Sequence, residues 1–268
     1  MNTINFIASG KMGDFIHSLY AVKNICEQKN AKANICLVNG YDGDIWTYGI
    51  EKAYLDLFDL VTKQPYVCGF NYTNRELPFS EYINLNKWRV AVADTHAKTG
   101  KYDTCWTELL SAIYEFPIPP KYAWLEKDPD DSFKNTILIH RSNHHHNDDY
   151  PFWDNIIPEI TGKKDKVAFI VSDIKEADYF IKGSFGFIEA IWPQSVSSMA
   201  LAIANCKYFI GNLSAPFALA SAFDVPRLCE LDADPAPFEM GEHKYSANLS
   251  WILNDEIKHF SHNLIVQH

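Results

Sequence analysis

Phe209-Ile-Gly-Asn-Leu-Ser-Ala-Pro-Phe-Ala-Leu-Ala-Ser-Ala-Phe-Asp-Val-Pro226 is the stretch that decides the fold. It reads as a buried strand over Tyr208 to Ile210, a tight turn at Gly211-Asn212, a helix of small residues over Ser214 to Phe223, and a stop before Pro226. A strand that turns straight into a helix aims free backbone N–H groups at one spot. The helix N-terminus adds roughly half a positive charge there, so the spot suits a phosphate. Ser214 is placed to cap the helix or to bond an anion.

The same rhythm runs outward from this stretch. Strands are predicted over Asn135 to His140, Val167 to Val171, Phe187 to Ala190 and Arg227 to Leu231. Helices are predicted between them, over Phe152 to Ile160, Ile174 to Ile181 and Val196 to Ala204. Alternation of this kind specifies a doubly wound parallel sheet. The N-terminal half opens in the same way. Ile4 to Ala8 reads as a strand, Ser9 to Gly13 as a glycine turn, Asp14 to Gln28 as a helix and Asn34 to Val38 as the next strand. Phe15, Leu19, Val22 and Cys26 recur at helical spacing. Between residues 40 and 100 the pattern predicts a helix over Ile45 to Phe58 and short strands around Leu60, Tyr66 and Val90. Asp103 to Tyr114 is helical again, and a last helix is expected over Trp251 to Phe260. Glu115-Phe-Pro-Ile-Pro-Pro120 favours an extended, stiff connection. The expectation is an α/β chain of two Rossmann-like lobes, residues 1–120 and 121–268, facing a cleft. Ligands of such sheets lie at the carboxyl ends of the strands.

Composition narrows the partners. The 268 residues carry a formal net charge of -10, and no run of Lys or Arg exceeds Lys163-Lys164. Duplex DNA and anionic membrane surfaces need a basic face, so neither is an expected partner. An acidic chain still binds a phosphate locally through backbone amides and one or two cations. The six cysteines form no Cys-x-x-Cys pair. They read as reduced, buried thiols in a reducing compartment. With no signal-peptide pattern and no transmembrane-length apolar run, a cytoplasmic location is expected.

Several motifs invite chemistry and are weighed down by what surrounds them. His144-His145-His146 precedes Asn147-Asp148-Asp149, a polar sequence that suits a solvated loop better than a metal site. One of these histidines, His144, is expected to contact a ligand in the cleft, because the loop should border it. Asp42-Gly-Asp44 is a calcium-loop fragment without the remaining ligands. A Gly-x-Ser-x-Gly elbow is absent, which discounts serine hydrolysis. The first glycine turn lacks dinucleotide-fingerprint spacing, which argues against a nicotinamide enzyme. No metal or other cofactor is expected.

Three segments share a resemblance. Gly13-Asp-Phe-Ile-His-Ser-Leu-Tyr-Ala-Val22 resembles the Gly-Asp-hydrophobic opening of the heptosyltransferase-like glycosyltransferases of family 9, which have the GT-B fold. Phe209 to Ala222 resembles that family's Gly-Asn-Asp-Ser-Gly-Pro-Met-His turn and helix. Ile137-Leu-Ile-His140, Arg141-Ser142-Asn143 and Tyr150-Pro151 resemble its strand, phosphate loop and Trp-Pro element. The order and spacing of all three agree, and the resemblance covers most of the chain, with the middle of the first half matching in outline.

The resemblance implies hexosyl or heptosyl transfer from a nucleotide-sugar to an acceptor hydroxyl, inverting and without a metal. The N-terminal lobe would take the acceptor and the C-terminal lobe the donor. The terminal segment would pack back across the first lobe. Asp14 would be the general base; the plainer reading is a helix cap. Gly13, Arg141, Ser142, His144, Gly211, Asn212, Ser214 and Ala215 would surround the donor. The chain departs from the pattern at Leu213, Ala215 and Ala218, where Asp, Gly and His are usual, and at Asp148, near the usual Lys. Arg141 would supply the displaced positive charge. These departures admit a rival, a nucleotide-sugar or glycan-binding protein without catalysis. A sugar-nucleotide epimerase shares the two-lobe plan, but such enzymes run longer.

Overall fold

The computed structural model describes residues 2–40, 45–91, 106–117, 123–142, 160, 165–172 and 188–230. Two separate parallel sheets form, as the interrupted rhythm predicts. The first contains β1 (Asn2–Ala8), β2 (Ala31–Val38), β3 (Val67–Thr73) and β4 (Ile83–Asn84), in the order β3-β2-β1-β4. Its helices are α1 (Met12–Gln28) and α2 (Ile50–Thr62), and α3 (Trp106–Tyr114) follows β4 in the chain. The second contains β5 (Thr136–His140), β6 (Lys166–Ile170), β7 (Glu189–Ile191), β8 (Tyr208–Asn212) and β9 (Arg227–Glu230), in the order β7-β6-β5-β8-β9. Its described helices are α4 (Val196–Asn205) and α5 (Ala215–Ala222).

The apolar runs explain the sheets. Every residue of β5 and β8 is buried, as parallel strands covered on both faces require. The first strand of each sheet is central. β1 pairs with β2 and β4, and β5 pairs with β6 and β8. Strand order therefore reverses beside the carboxyl ends of β1 and β5, and switch points of this kind are where open α/β sheets take ligands.

Three expectations in the first half need correction. Leu60 lies in α2, not in a strand. Ala53, Leu57, Leu60 and Val61 are its buried stripe, at helical spacing. That helix starts at Ile50 and not Ile45, because Gly49 takes φ +86°, a left-handed turn that halts helical winding. Val90 lies in a helical turn over residues 88–91 and is 59% exposed, so the adjacent Trp88 supplies the burial. The strand of this region is the two-residue β4, further upstream. The expected helices over 174–181 and 251–260, nearly all of 152–160, and most of the boundary at 117–121 lie outside the described residues. No helix among the described residues is long and apolar enough to cross a membrane.

Burial of the thiols is mixed. Cys26 and Cys206 are buried, Cys36 is half-buried and Cys68 is exposed, all four free. Cys68 departs from the expectation because its β3 position points away from the core. Burial first, then Cys68 and Glu27, pushes the Cys26 thiol up to about 11.

The two sheets share one hydrophobic core through α1, α5 and the segment 123–125. Trp124 is almost fully buried there. Its indole N–H donates to the Ile16 carbonyl at 2.7 Å, and its backbone N–H donates to the Ala222 carbonyl at 2.9 Å. Tyr66 donates to the Trp124 carbonyl at 2.8 Å. One residue thus straps α1 to α5.

Candidate active site at the facing helix starts

β8 delivers its last residues to the second switch point. Gly211 and Asn212 are still strand, not a turn. Gly211 pairs beside His140, and a Cβ there would lie 2.6 Å from the His140 carbonyl oxygen. Close backbone approach, not a turn, demands this glycine. The chain then turns through Leu213-Ser214 into α5. Ser214 is the N-cap residue, with extended φ of -161°, but its side chain does not cap the helix. Its hydroxyl donates instead to the Asn212 carbonyl at 3.0 Å. Pro216 has no N–H, so the first turn presents the N–H groups of Ala215 and Phe217 before Ala218 closes the first helical bond onto Ser214.

Asn212 is completely buried and ties the switch point together. Its Oδ1 accepts the Ser142 N–H at 2.9 Å, and its Nδ2 donates to the Ser142 carbonyl at 3.0 Å. The first lobe repeats the device. Asn86 Oδ1 accepts the Ser9 N–H at 3.2 Å, and Asn86 Nδ2 donates to the Ser9 carbonyl at 2.8 Å. Sequence reasoning missed Ser9 and Asn86. The available signal was a Ser just beyond the first strand of each lobe, matched by an Asn at or just past the fourth. Asn212→Ala should destabilise the chain by about 2–3 kcal/mol, since it orphans a buried donor and acceptor of Ser142. A urea melt of the variant beside the parent measures it, and an unchanged midpoint would remove the tie.

Gly10, at φ +107°, opens the turn into α1 in the first lobe. Lys11 is the N-cap residue, and Asp14 is the third residue of the helix. Asp14 therefore does not occupy the capping position. Its Oδ2 accepts from Arg89 Nη2 at 3.0 Å, with both side chains about a quarter exposed. The Arg89 guanidinium also lies 4.2 Å from the centre of the Trp88 ring. Reading residues around Val90 as a strand hides Arg89 from the sequence argument.

The two helix starts face each other. A Cβ on Gly13 would lie 3.5 Å from the backbone N and Cα of Ala215 and 3.6 Å from the Ser214 carbonyl carbon. Gly13, Ser214 and Ala215 thus meet across the lobes, with Asp14 next to Gly13 in the chain. Gly211, Asn212 and Ser142 gather at the adjacent switch point. Arg141 and Ser142 are buried immediately past β5. His144 lies outside the described residues. Leu213 packs against the core and Ala218 is fully buried within α5, so both unusual residues occupy apolar surroundings.

In the sequence His140 reads only as the end of a strand, yet it is central. Its Nε2 lies 2.7 Å from the Ser172 hydroxyl and its Nδ1 lies 3.3 Å from the Ser214 hydroxyl.

No protein-family model matches the chain, and no curated protein matches it. Solved structures do. A family 9 glycosyl transferase from Veillonella parvula superposes with a TM-score of 0.59 at 10% identity, over 92% of this chain and 84% of that one. The E. coli ADP-heptose lipopolysaccharide heptosyltransferase II gives 0.57 at 11% identity, over 89% and 87%. The E. coli heptosyltransferase WaaC, solved with ADP, gives 0.50 at 12% identity, over 97% and 99%. The chain has the GT-B fold of these glycosyltransferases.

Proposed function

We propose that the chain transfers a sugar from a nucleotide-sugar to an acceptor hydroxyl. The observation that carries the proposal is the meeting of two helix starts at the switch points of two Rossmann-like lobes, one bearing the carboxylate of Asp14. A fold shared with glycosyltransferases supports it.

The chemistry follows from those groups. The donor diphosphate lies on the second lobe, against Ser142, Gly211, Asn212, Ala215 and the main chain of Ser214, whose hydroxyl is turned to the sheet, with Arg141 as the neighbouring cation. Gly13 closes the site from the first lobe, where a Cβ would meet the backbone of Ser214 and Ala215 at contact distance. Asp14 accepts the proton of the acceptor hydroxyl as that oxygen bonds to the anomeric carbon. The bond from the anomeric carbon to the phosphate oxygen breaks, and the nucleoside diphosphate leaves with the electron pair. Attack opposite the leaving group inverts the anomeric centre. The charge that develops on the phosphate meets the N-terminus of α5, which serves in place of a divalent ion.

A screen of melting temperature against ADP-, UDP- and GDP-sugars, followed by turnover of the labelled donor that binds, tests the reading. A ligand at a hundredfold excess over its Kd adds about 2.7 kcal/mol. Absence of any shift across these donors refutes it. Arg141→Ala should weaken donor binding by about 1–3 kcal/mol, the scale of a charge-assisted hydrogen bond. Unchanged affinity by calorimetry would take Arg141 out of the site. A second reading, binding without transfer, is favoured by the Arg89 bond already held by Asp14 Oδ2. Binding of a donor with no turnover on any acceptor or on water would select it.

A further inference from the structure

His140 ends β5, and its ring is 1% exposed, stacked parallel to Phe169. Its two nitrogens reach hydroxyls that follow two neighbouring strands, Ser172 beyond β6 and Ser214 beyond β8. The directions of these bonds can be assigned. Ser214 has one hydroxyl proton, and the Asn212 carbonyl takes it. Toward His140 the Ser214 oxygen is therefore the acceptor, and Nδ1 carries the ring proton. In the Nδ1–H tautomer Nε2 offers a lone pair, which accepts the Ser172 proton at 2.7 Å. The bonds run one way, from Ser172 through His140 and Ser214 to the Asn212 carbonyl, an arrangement in which each bond polarises the next.

This chain of bonds has a consequence for α5. A serine at an N-cap ordinarily turns its oxygen onto the second or third N–H of its own helix. Ser214 does not, although it sits at that position. Its proton and a lone pair are both engaged on the sheet side. Ser195, the N-cap residue of α4 in the same lobe, is not held in this way and does cap, accepting the Ser198 N–H at 3.1 Å.

We infer that His140 is a positioning residue of the diphosphate site, one that holds the Ser214 hydroxyl away from α5 and so keeps the first-turn N–H groups of Ala215 and Phe217 open to phosphate oxygens. This rests on the nucleotide-sugar reading and goes beyond it. Loss of the Nδ1 bond releases Ser214 to cap its own helix, and the internal cap competes with the phosphate. The helix gains what the ligand loses.

Two substitutions separate the two ring nitrogens. In His140→Asn the amide nitrogen stands near the place of Nδ1 and keeps the bond to Ser214. In His140→Gln the amide reaches the place of Nε2 and keeps only the bond to Ser172. Calorimetric titration of the full chain with ADP, UDP and GDP reads the effect. For whichever nucleotide the parent binds, H140N should stay within about threefold of the parent Kd. H140Q should weaken binding by about tenfold, the scale of one N-cap interaction. H140Q combined with Ser214→Ala, which cannot cap, should recover most of the loss. Ser172→Ala leaves the ring and its bond to Ser214 in place, so it should stay within about threefold of the parent, whereas His140→Phe, which keeps a flat ring and loses both bonds, should weaken binding as H140Q does and stands in if H140Q fails to fold. Equal effects of H140N and H140Q, or a double variant no better than H140Q, would overturn the role of His140 alone. A parent that binds none of the three nucleotides would overturn the nucleotide-sugar reading and this inference with it.

Discussion

Asp14→Asn should slow sugar transfer by about a hundredfold or more, the typical contribution of a positioned base, while donor affinity and melting temperature stay close to the parent values. The carboxylate sits at the third position of α1, and the N-cap residue is Lys11. Removing the charge therefore costs no cap. The amide oxygen of Asn can still accept from Arg89, so what is lost is the ionic part of a pair whose partners are each 24% exposed. Pairs of that exposure are worth at most about 1 kcal/mol after solvent screening, and the favourable charge at a helix start adds a few tenths. An amide cannot take a proton from the acceptor, so the chemical step bears the whole effect. Single-turnover transfer from the labelled donor gives the rate, and calorimetry gives the affinity. Transfer at the parent rate would leave Asp14 as no more than the counter-ion of Arg89.

Much of this geometry is legible in the sequence, and the illegible part has a physical pattern. The openings Ile4 to Gln28 and Asn135 to His140, and the run from Tyr208 to Phe223, carry strand and helix periods long enough to read, and they fix both switch points. The stretch near Leu60 misleads because its apolar residues suit either period until the whole span of α2 is known. β4 has only two residues, too few to show any period, and its place beside β1 is decided by tertiary pairing. Arg89 follows from that pairing, since only the return of the chain past β4 brings it to Asp14, 75 residues away in sequence. Gly211 reads as constrained in the sequence, but as a turn glycine. The crowding comes instead from the His140 carbonyl of a neighbouring strand, which no local reading of residues 209–214 contains. Bonds that cross between strands, such as Asn212 to Ser142 and His140 to Ser172, are invisible for the same reason.

Acid should loosen the chain through His17, and His17→Phe should remove much of that sensitivity. His17 lies on α1 within the contact between lobes. Its ring stacks on Trp106 at 4.8 Å and 8°, and stands 6.1 Å from the Trp124 strap. Burial, and after it the positive charge of Arg227 from β9, holds the His17 pKa down to about 3. Its ordinary value in an unfolded chain is 6.5. Between those values the unfolded chain binds the proton and the folded chain does not, so stability rises with pH across that window. It is complete above about pH 6.5 and falls as the pH drops toward 3. One proton bound only by the unfolded chain costs about 1.36 kcal/mol for every pH unit below 6.5, so the loss should reach about 2 kcal/mol at pH 5. Phe keeps a flat ring on Trp106 and has no proton to gain. Urea melts followed by tryptophan fluorescence at pH 7 and pH 5 should give a smaller drop for the variant than for the parent, by about 2 kcal/mol. Carboxylates titrate in both proteins and cancel in the comparison. Parallel pH dependences would show that the folded chain admits the proton at His17, and that the contact between lobes tolerates a charge at its centre.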